Sequence, residues 1–368
     1  MIYIILAAIA VFFIRTIVLS IGAYLSRKAE IMNHDEYQPF VSVIVPSRNE
    51  ENNIENCVNH LMKSDYPVTK FEIVAIDDRS SDSTNKILKN LQKKYPNIKI
   101  VEITESSKNP NLKGKAGALH EGIKQAKGEI LMMTDADCEV HPNWIKTVAR
   151  QFYDKKVDLI PSFTLIKGER VFDKVQAVEW LYMHTMASAG VGLKNPLGCF
   201  GNNLSIRAQT YHELGGYEKI RFSVTEDLAL EQAVFKLGRG VVYLTDENAT
   251  VTTLPCVDMD EYISQHRRWA RGGYDLKWSA AAFVFTSVMT WLGLILSIIS
   301  GEFLLLAALL ITRIFGDFFL ILPSMKLVGR QHLTKWVLPS VFFFMLMELI
   351  IPPLMINPKI NWKGQNFK

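Results

Sequence analysis

Residues 2–25 are nearly all apolar, broken only by Arg15, and three more apolar stretches follow residue 278. About 20 such residues span a bilayer. Inside the hydrocarbon every backbone polar group must be paired within the protein, so these ends can cross only as helices. Arg27 and Lys28 close the first run and place the downstream chain in the cytoplasm. A cleaved signal peptide is the competing reading. No convincing small-x-small site ends the run, so an uncleaved anchor over residues 1–28 is expected.

Near the other end, residues 279–299 and 303–322 are candidate spans, with Gly301-Glu302 as a tight hairpin between them. Residues 336–355 form a third, broken by Pro352-Pro353. Lys326, Arg330 and Lys335 mark a cytosolic loop. Three crossings would put the tail outside, whereas Lys359, Lys363 and Lys368 favour the inside; a re-entrant or interfacial last segment reconciles the two. Arg313 and Asp317 stand four apart in the second segment. They form an intrahelical pair that neutralises both charges, or they meet a polar lipid headgroup.

The expected organisation is an anchor at 1–28, a water-facing domain at 38–275, membrane segments at 277–357 and a basic tail at 358–368. The whole chain is 49% hydrophobic, but the excess lies at its ends. A net charge of +4, mild and scattered, argues against nucleic acid and suits anionic headgroups. The four cysteines (Cys57, Cys138, Cys199 and Cys256) show no metal or redox spacing and are expected to be reduced thiols.

Within the middle, residues 41–45, 71–76, 98–103 and 129–133 read as strands. Helical stretches lie between them, ending near Met62, Lys94 and Ala126, and Ser81-Asp82-Ser83 can cap the second. Alternating strands and helices imply an α/β fold with a mostly parallel sheet covered on both faces. Ligands in such sheets sit beyond the carboxyl ends of the strands, where Pro46, Asp77 and Asp135 fall. Residues 172–193 also read as a helix, either buried or lying at a membrane surface.

Several groups can carry chemistry. Asp77 and Asp78 can hold a nucleoside, or they make a strand-end turn with Asp82 as its cap. Asp135 and Asp137 can hold a divalent cation that also binds a diphosphate, and oxygen ligands favour Mg²⁺ or Mn²⁺. Lys113 and Lys115 flank Gly114 before a helix, and either serves a phosphate or is a solvated turn residue. The loop from Gly198 through Gly201, Asn202 and Asn203 admits an acceptor, or it is an ordinary turn. Asp227 is a candidate general base; its alternative is a helix-start carboxylate near Thr225. Gln265, Arg268 and Trp269 share one helical face. Arg268 can pair with a departing diphosphate and Trp269 can stack on a sugar, or the cluster meets lipid headgroups.

These stations, in this order over residues 41–274, resemble membrane-bound family 2 glycosyltransferases with a GT-A fold. The resemblance implies a Rossmann-like catalytic domain and inversion at the anomeric carbon in one displacement. By the same resemblance Pro46, Glu50, Asp77, Asp78, Lys115 and Asp135 bind the nucleotide, and Asp135 and Asp137 hold the metal. Asp227 is then the base, and Gln265, Arg268 and Trp269 close over the diphosphate. Gly201, Asn202, Asn203 and Glu226 fall to the acceptor. The closing Asn361-Trp362-Lys363-Gly364 is similar to the ending of bacterial carotenoid and lipid glucosyltransferases. The expectation is a hexosyltransferase, integral to the cell membrane with its catalytic domain cytosolic. It moves a sugar from a UDP-sugar to a carotenoid, diacylglycerol or polyprenyl acceptor. A processive polysaccharide synthase of the cellulose, hyaluronan or poly-N-acetylglucosamine kind is the first alternative. A nucleotidyltransferase and a non-catalytic membrane subunit are the others. The residues name neither the sugar, the acceptor nor the oligomeric state.

Overall fold

The computed structural model describes residues 1–29, 34–354, 360–362 and 365–367. A 28-residue helix, α1 (Ile2–Ala29), leads into β1 (Val41–Ser47), α2 (Ile54–Met62), β2 (Phe71–Asp78) and α3 (Thr84–Lys94). Then come β3 (Ile98–Ile103), α4 (Lys115–Lys124), β4 (Ile130–Met133), β5 (Glu139–Val140) and α5 (Trp144–Gln151). The next group is β6 (Leu159–Pro161), β7 (Thr164–Ile166), α6 (Val171–Gly192), β8 (Leu204–Arg207), α7 (Ala208–Glu213) and α8 (Gly216–Lys219). The remainder is α9 (Glu226–Lys236), β9 (Val251–Thr253), α10 (Met259–Gly273), α11 (Trp278–Ile299), α12 (Phe303–Leu327), α13 (Val337–Leu354), β10 (Ile360–Trp362) and β11 (Gln365–Phe367).

The main sheet has the order β3-β2-β1-β4-β8-β6. Its first four strands are parallel, while β8 runs antiparallel to both β4 and β6. Parallel strands buried on both faces need apolar side chains in both directions. Val43, Val45, Ile73 and Met132 point into one core with α2, α3 and α5. Ile44, Val74, Ile76 and Met133 point into the other with α4. Chain order reverses between β1 and β4, and the crevice at that switch point is where such sheets bind ligands. A smaller sheet, β5-β9-β7, extends the crevice wall.

Four helices are long and apolar enough to cross a membrane: residues 2–28, 278–299, 303–327 and 331–352. The hairpin between α11 and α12 turns at Gly301, whose φ of +72° suits a glycine. α12 runs five residues past the expected end at 322, because Pro323 is accommodated within the helix rather than stopping it. Arg313 pairs with Asp317 at 2.9 Å, as the spacing implies, and also with Glu348 of α13 at 2.7 Å. The expected basic residues Lys359, Lys363 and Lys368 lie outside the described residues, as does Gly364 of the closing motif. The short hairpin β10–β11 is antiparallel.

α6 is a buried helix rather than a surface one. It lies directly on α1: a side chain at Gly192 would collide with the Gly22 carbonyl. Ser188 donates to Ser26 at 3.0 Å across the same contact. Small residues let two backbones touch in this way. α6 therefore sits between the membrane helices and the crevice.

Candidate active site

A cavity of about 600 Å³ opens at the carboxyl ends of β1, β2 and β4. Of the residues singled out from sequence, Pro46, Glu50, Asp78, Lys115, Asp135 and Asp137 line one end. Gly201, Asn202, Glu226, Asp227, Gln265, Arg268 and Trp269 line the rest. Asp77 and Asn203 do not.

The two neighbouring aspartates have separate tasks. Asp78 faces the cavity and is held by Arg79 through contacts of 2.7 and 3.1 Å, with Arg48 at 3.9 Å. Asp77 turns away: it accepts from the Ser80 N–H at 3.2 Å and from the Asn85 amide at 2.8 Å. Asp82 accepts from the Thr84 N–H at 3.0 Å and from the Glu51 N–H at 3.1 Å, tying the loops after β1 and β2 together. The turn and the ligand-facing carboxylate thus coexist, one residue apart.

Lys115 begins α4 and is half-buried and ion-paired rather than a solvated turn residue. Its Nζ lies 2.5 Å from Asp135 Oδ1 and 3.7 Å from Glu226 Oε1. Burial alone would lower its pKa, but Asp135, Glu226 and Asp227 outweigh that and hold the ammonium above its ordinary range. Asp137 lies across from Asp135 on the same loop and receives the Cys138 thiol at 3.4 Å. No three His, Cys, Asp or Glu side chains gather as a metal cluster among the described residues. Asp135 and Asp137 thus offer two carboxylates of hard oxygen character among the described residues. That donor set fits a Mg²⁺- or Mn²⁺-type ion whose remaining ligands are water and substrate phosphate.

Glu226 and Asp227 open α9, where the helix dipole favours negative charge. Asp227 Oδ1 accepts from the Leu228 N–H at 2.8 Å and Oδ2 from the Gly201 N–H at 2.6 Å. A side chain on residue 201 would press on Asp227 at 3.3 Å, which is why a glycine suits this approach. Burial raises the Asp227 pKa, with Lys115 opposing. Burial also pushes Glu226 up to about 7, again against Lys115. One turn on, Glu231 is fully buried with neither oxygen hydrogen-bonded among the described residues, and burial drives its carboxyl well above the usual range.

Asn202 lines the cavity and accepts from the Thr164 hydroxyl at 2.8 Å. Asn203 corrects the expectation of an acceptor contact. Its Oδ1 accepts from the Trp144 indole at 2.9 Å, and its Nδ2 donates to the carbonyls of Phe163 and Ala249 at 2.8 and 3.0 Å. Those bonds use both amide donors and one of the two acceptor sites inside the protein.

α10 starts at Asp258, whose carboxylate accepts from the Glu261 N–H at 2.9 Å. Gln265 accepts from the Cys256 thiol at 3.6 Å, and Trp269 packs edge-on against Trp180 and Phe200 at 5.6 and 6.4 Å. With Met183 and Leu197 these rings make the cavity end nearest α6 apolar. Sequence reasoning placed Trp180 and Met183 on a helix but did not bring them to the site. Phe200, inside the Gly198–Asn203 loop, was the available hint.

The family model described as Glycosyl transferase family 21 matches residues 1–368. The chain belongs to that family. The sequence motifs pointed to GT-A enzymes and leaned toward the lipid glycosyltransferase branch. The matched family is numbered 21, and its relatives include lipid glucosyltransferases. One, the Beta-monoglucosyldiacylglycerol synthase of Trichormus variabilis, is 29% identical over 249 residues, covering 64% of this chain and 49% of its own length. The Probable glycosyltransferase YdaM of Bacillus subtilis is 26% identical over 354 residues, 89% of this chain and 77% of its own. The chain spans about half the length of the first of these relatives. Among solved structures, the mannosyltransferase PcManGT from Pyrobaculum calidifontis, in complex with GDP-Man and Mn²⁺, superposes with a TM-score of 0.58. It is 19% identical and covers 93% of this chain and 99% of its own. That likeness bears on fold alone: this chain is an α/β domain of GT-A type, with four helices long and apolar enough to cross a membrane.

Proposed function

We propose that this family 21 protein is a membrane-anchored inverting glycosyltransferase that moves a hexose from a UDP-sugar to a hydroxyl on a membrane lipid. The observation that carries the reading is one cavity with two chemically opposite ends. Strand-end acids and Lys115 lie at one end, the rings of Trp180, Phe200 and Trp269 at the other, and Asp227 stands between them. The name of the diacylglycerol-glucosylating relative supports a lipid acceptor. We assign residues 38–275 to a cytosolic catalytic unit between membrane segments at 1–28 and 277–357.

In this mechanism Pro46, Glu50 and Asp78 receive the nucleoside, and Lys115 turns from Asp135 to a phosphate of the donor. Asp135 and Asp137 would hold a Mg²⁺ or Mn²⁺ ion, which when bound neutralises charge on the diphosphate. Arg268 stabilises the same departing group through its planar donors. Asp227 takes the proton of the acceptor hydroxyl, its two oxygens aimed by the Gly201 and Leu228 N–H groups. The acceptor oxygen attacks the anomeric carbon from the face opposite the diphosphate, the C–O bond to the nucleotide breaks, and the configuration inverts. The apolar end keeps the lipid chain out of water while its hydroxyl reaches Asp227.

The test is to incubate the purified full chain with a panel of UDP-sugars and native lipid extract, with and without Mn²⁺, and to weigh the lipids by mass spectrometry. One added hexose, dependent on donor and cation, is expected. No donor-dependent mass shift, or a long oligomer ladder, would overturn the reading.

A further inference from the structure

The residue between Gln265 and Arg267 has no place in the glycosyl-transfer mechanism, yet both of its ring nitrogens are engaged. His266 Nδ1 faces the Tyr262 carbonyl at 2.8 Å, and Nε2 faces Glu179 Oε1 of α6 at 2.9 Å. Glu179 Oε1 also accepts the Tyr262 hydroxyl at 2.7 Å. The Tyr262 and His266 rings stack at 3.8 Å, and the His266 ring meets Trp269 at 4.9 Å. Both charged side chains are largely buried, His266 at 13% and Glu179 at 11% exposure.

The proton inventory is restrictive. A peptide carbonyl can only accept, so His266 Nδ1 carries a proton. The two contacts hold the imidazole by both ring nitrogens, one on α10's own backbone and one on α6. Replacing either partner strands the other in a buried place.

Helix geometry turns this anchor toward the cavity. Tyr262, His266 and Trp269 lie at i, i+4 and i+7 and face α6, while Gln265, Arg268 and Gly272 lie on the adjoining face and line the cavity. One turn earlier on α6, Gln176 grips the backbone of Cys256 from both sides: its Oε1 accepts from the N–H at 2.8 Å and its Nε2 donates to the carbonyl at 3.1 Å. So α6 sets both the loop that leads into α10 and the rotation of α10 itself.

We propose that His266 and Glu179 are a positioning pair: their contact locks α10 onto α6 and so fixes Arg268 and Trp269 over the donor diphosphate. The pair touches no substrate. It acts on the rate of the chemical step through the aim of its neighbours, and its kinetic arm rests on the glycosyl-transfer function proposed for the cavity.

The test uses full-length protein with Glu179→Gln, which is nearly isosteric, and His266→Gln, each alone and combined. Transfer kcat is expected to fall roughly 10- to 100-fold, the scale of a misplacement of about 1 Å, with donor KM little changed. The double variant should lose no more than the worse single, because the two act as one unit. Amide hydrogen exchange of α10, measured without substrate, should rise in both variants. Wild-type kcat in Glu179→Gln, an effect confined to donor KM, or unchanged α10 exchange overturns the proposal. If the wild-type protein transfers no sugar at all, the functional reading fails, and the exchange measurement still decides whether the pair locks the helix.

Discussion

Two clusters of charge lie inside this molecule, and their arithmetic differs. In the cavity, Lys115 faces three acids, Asp135, Glu226 and Asp227. Among the membrane helices, Arg313 pairs with Asp317 and Glu348, and Arg15 lies within electrostatic reach of both acids. That second group is balanced, two cations to two anions, with Phe12 between the guanidinium groups at 4.9 and 5.0 Å. Arg15 is also bonded to the Tyr182 hydroxyl of α6, and Ser287 of α11 donates to Glu348 at 2.7 Å. A balanced set in an apolar bundle is a strut, since each charge is answered by an opposite charge within the protein. The cavity set is answered from two sides, by Lys115 and by Arg268, which also acts on Glu226 and Asp227, yet three acids still face two cations. A cation and an incoming diphosphate complete it.

The contrast is broken most directly at Asp227. Changing it to Asn should lower transfer by about 10²–10⁴-fold while UDP binding, measured by calorimetry, stays near wild type. Retained transfer would remove Asp227 from the chemistry and leave it as a helix-start carboxylate. The membrane cluster should behave in the opposite way. Arg313→Leu strands two acids, so thermal unfolding in detergent should show a loss of roughly 3–5 kcal/mol. The kcat of the surviving folded protein should change little. A variant that kept its stability but lost activity would make that cluster a site and not a strut.

How far each cluster could be read from sequence depends on the range of its contacts. β1 to β4 were legible because doubly buried parallel strands are continuous apolar runs. Asp78, Asp135 and Asp227 were legible because each ends such a run or opens a helix. β6 and β8 were not, since Leu-Ile-Pro and Leu-Ser-Ile-Arg are too short to declare a pattern without their antiparallel partners. Asp317 was found at helical spacing from Arg313, but Glu348 is 35 residues away and nothing local announces it. Asn203 misled for the same reason. Its loop composition suits an acceptor site, whereas its amide is consumed by Trp144, 59 residues distant in sequence.

Lys115 sharpens the comparison, because its ammonium reaches both Asp135 and Glu226. Lys115→Met keeps the buried stem and removes the charge. Loss of a charge-assisted contact to the donor should cost about 1.5–3 kcal/mol, read as a roughly 10- to 100-fold fall in kcat/KM for the UDP-sugar. An unchanged kcat/KM would mean that Lys115 merely neutralises Asp135 and does not turn to the phosphates.

The smallest effect is a pH dependence that only the unbalanced cluster should show. Burial is the main cause that lifts Glu226 to about 7 from an ordinary 4.5, with Lys115 opposing and Asp227 adding. In the window between those values the folded protein holds a proton that the unfolded chain has released. Stability is therefore greater at the acid end and falls as pH rises toward 7, then levels off. Because Lys115 and Asp227 share the same titration, the slope should amount to a change on the order of 1 kcal/mol. Glu226→Gln removes one titrating group and should make the slope shallower, with the buried Asp227 and Glu231 retaining part of it. Melting temperatures taken in detergent from about pH 5 to about pH 8, for wild type and variant side by side, give the answer. Equal slopes in the two proteins would assign the pH dependence to groups other than Glu226. The cavity cluster would then be as well compensated as the membrane one.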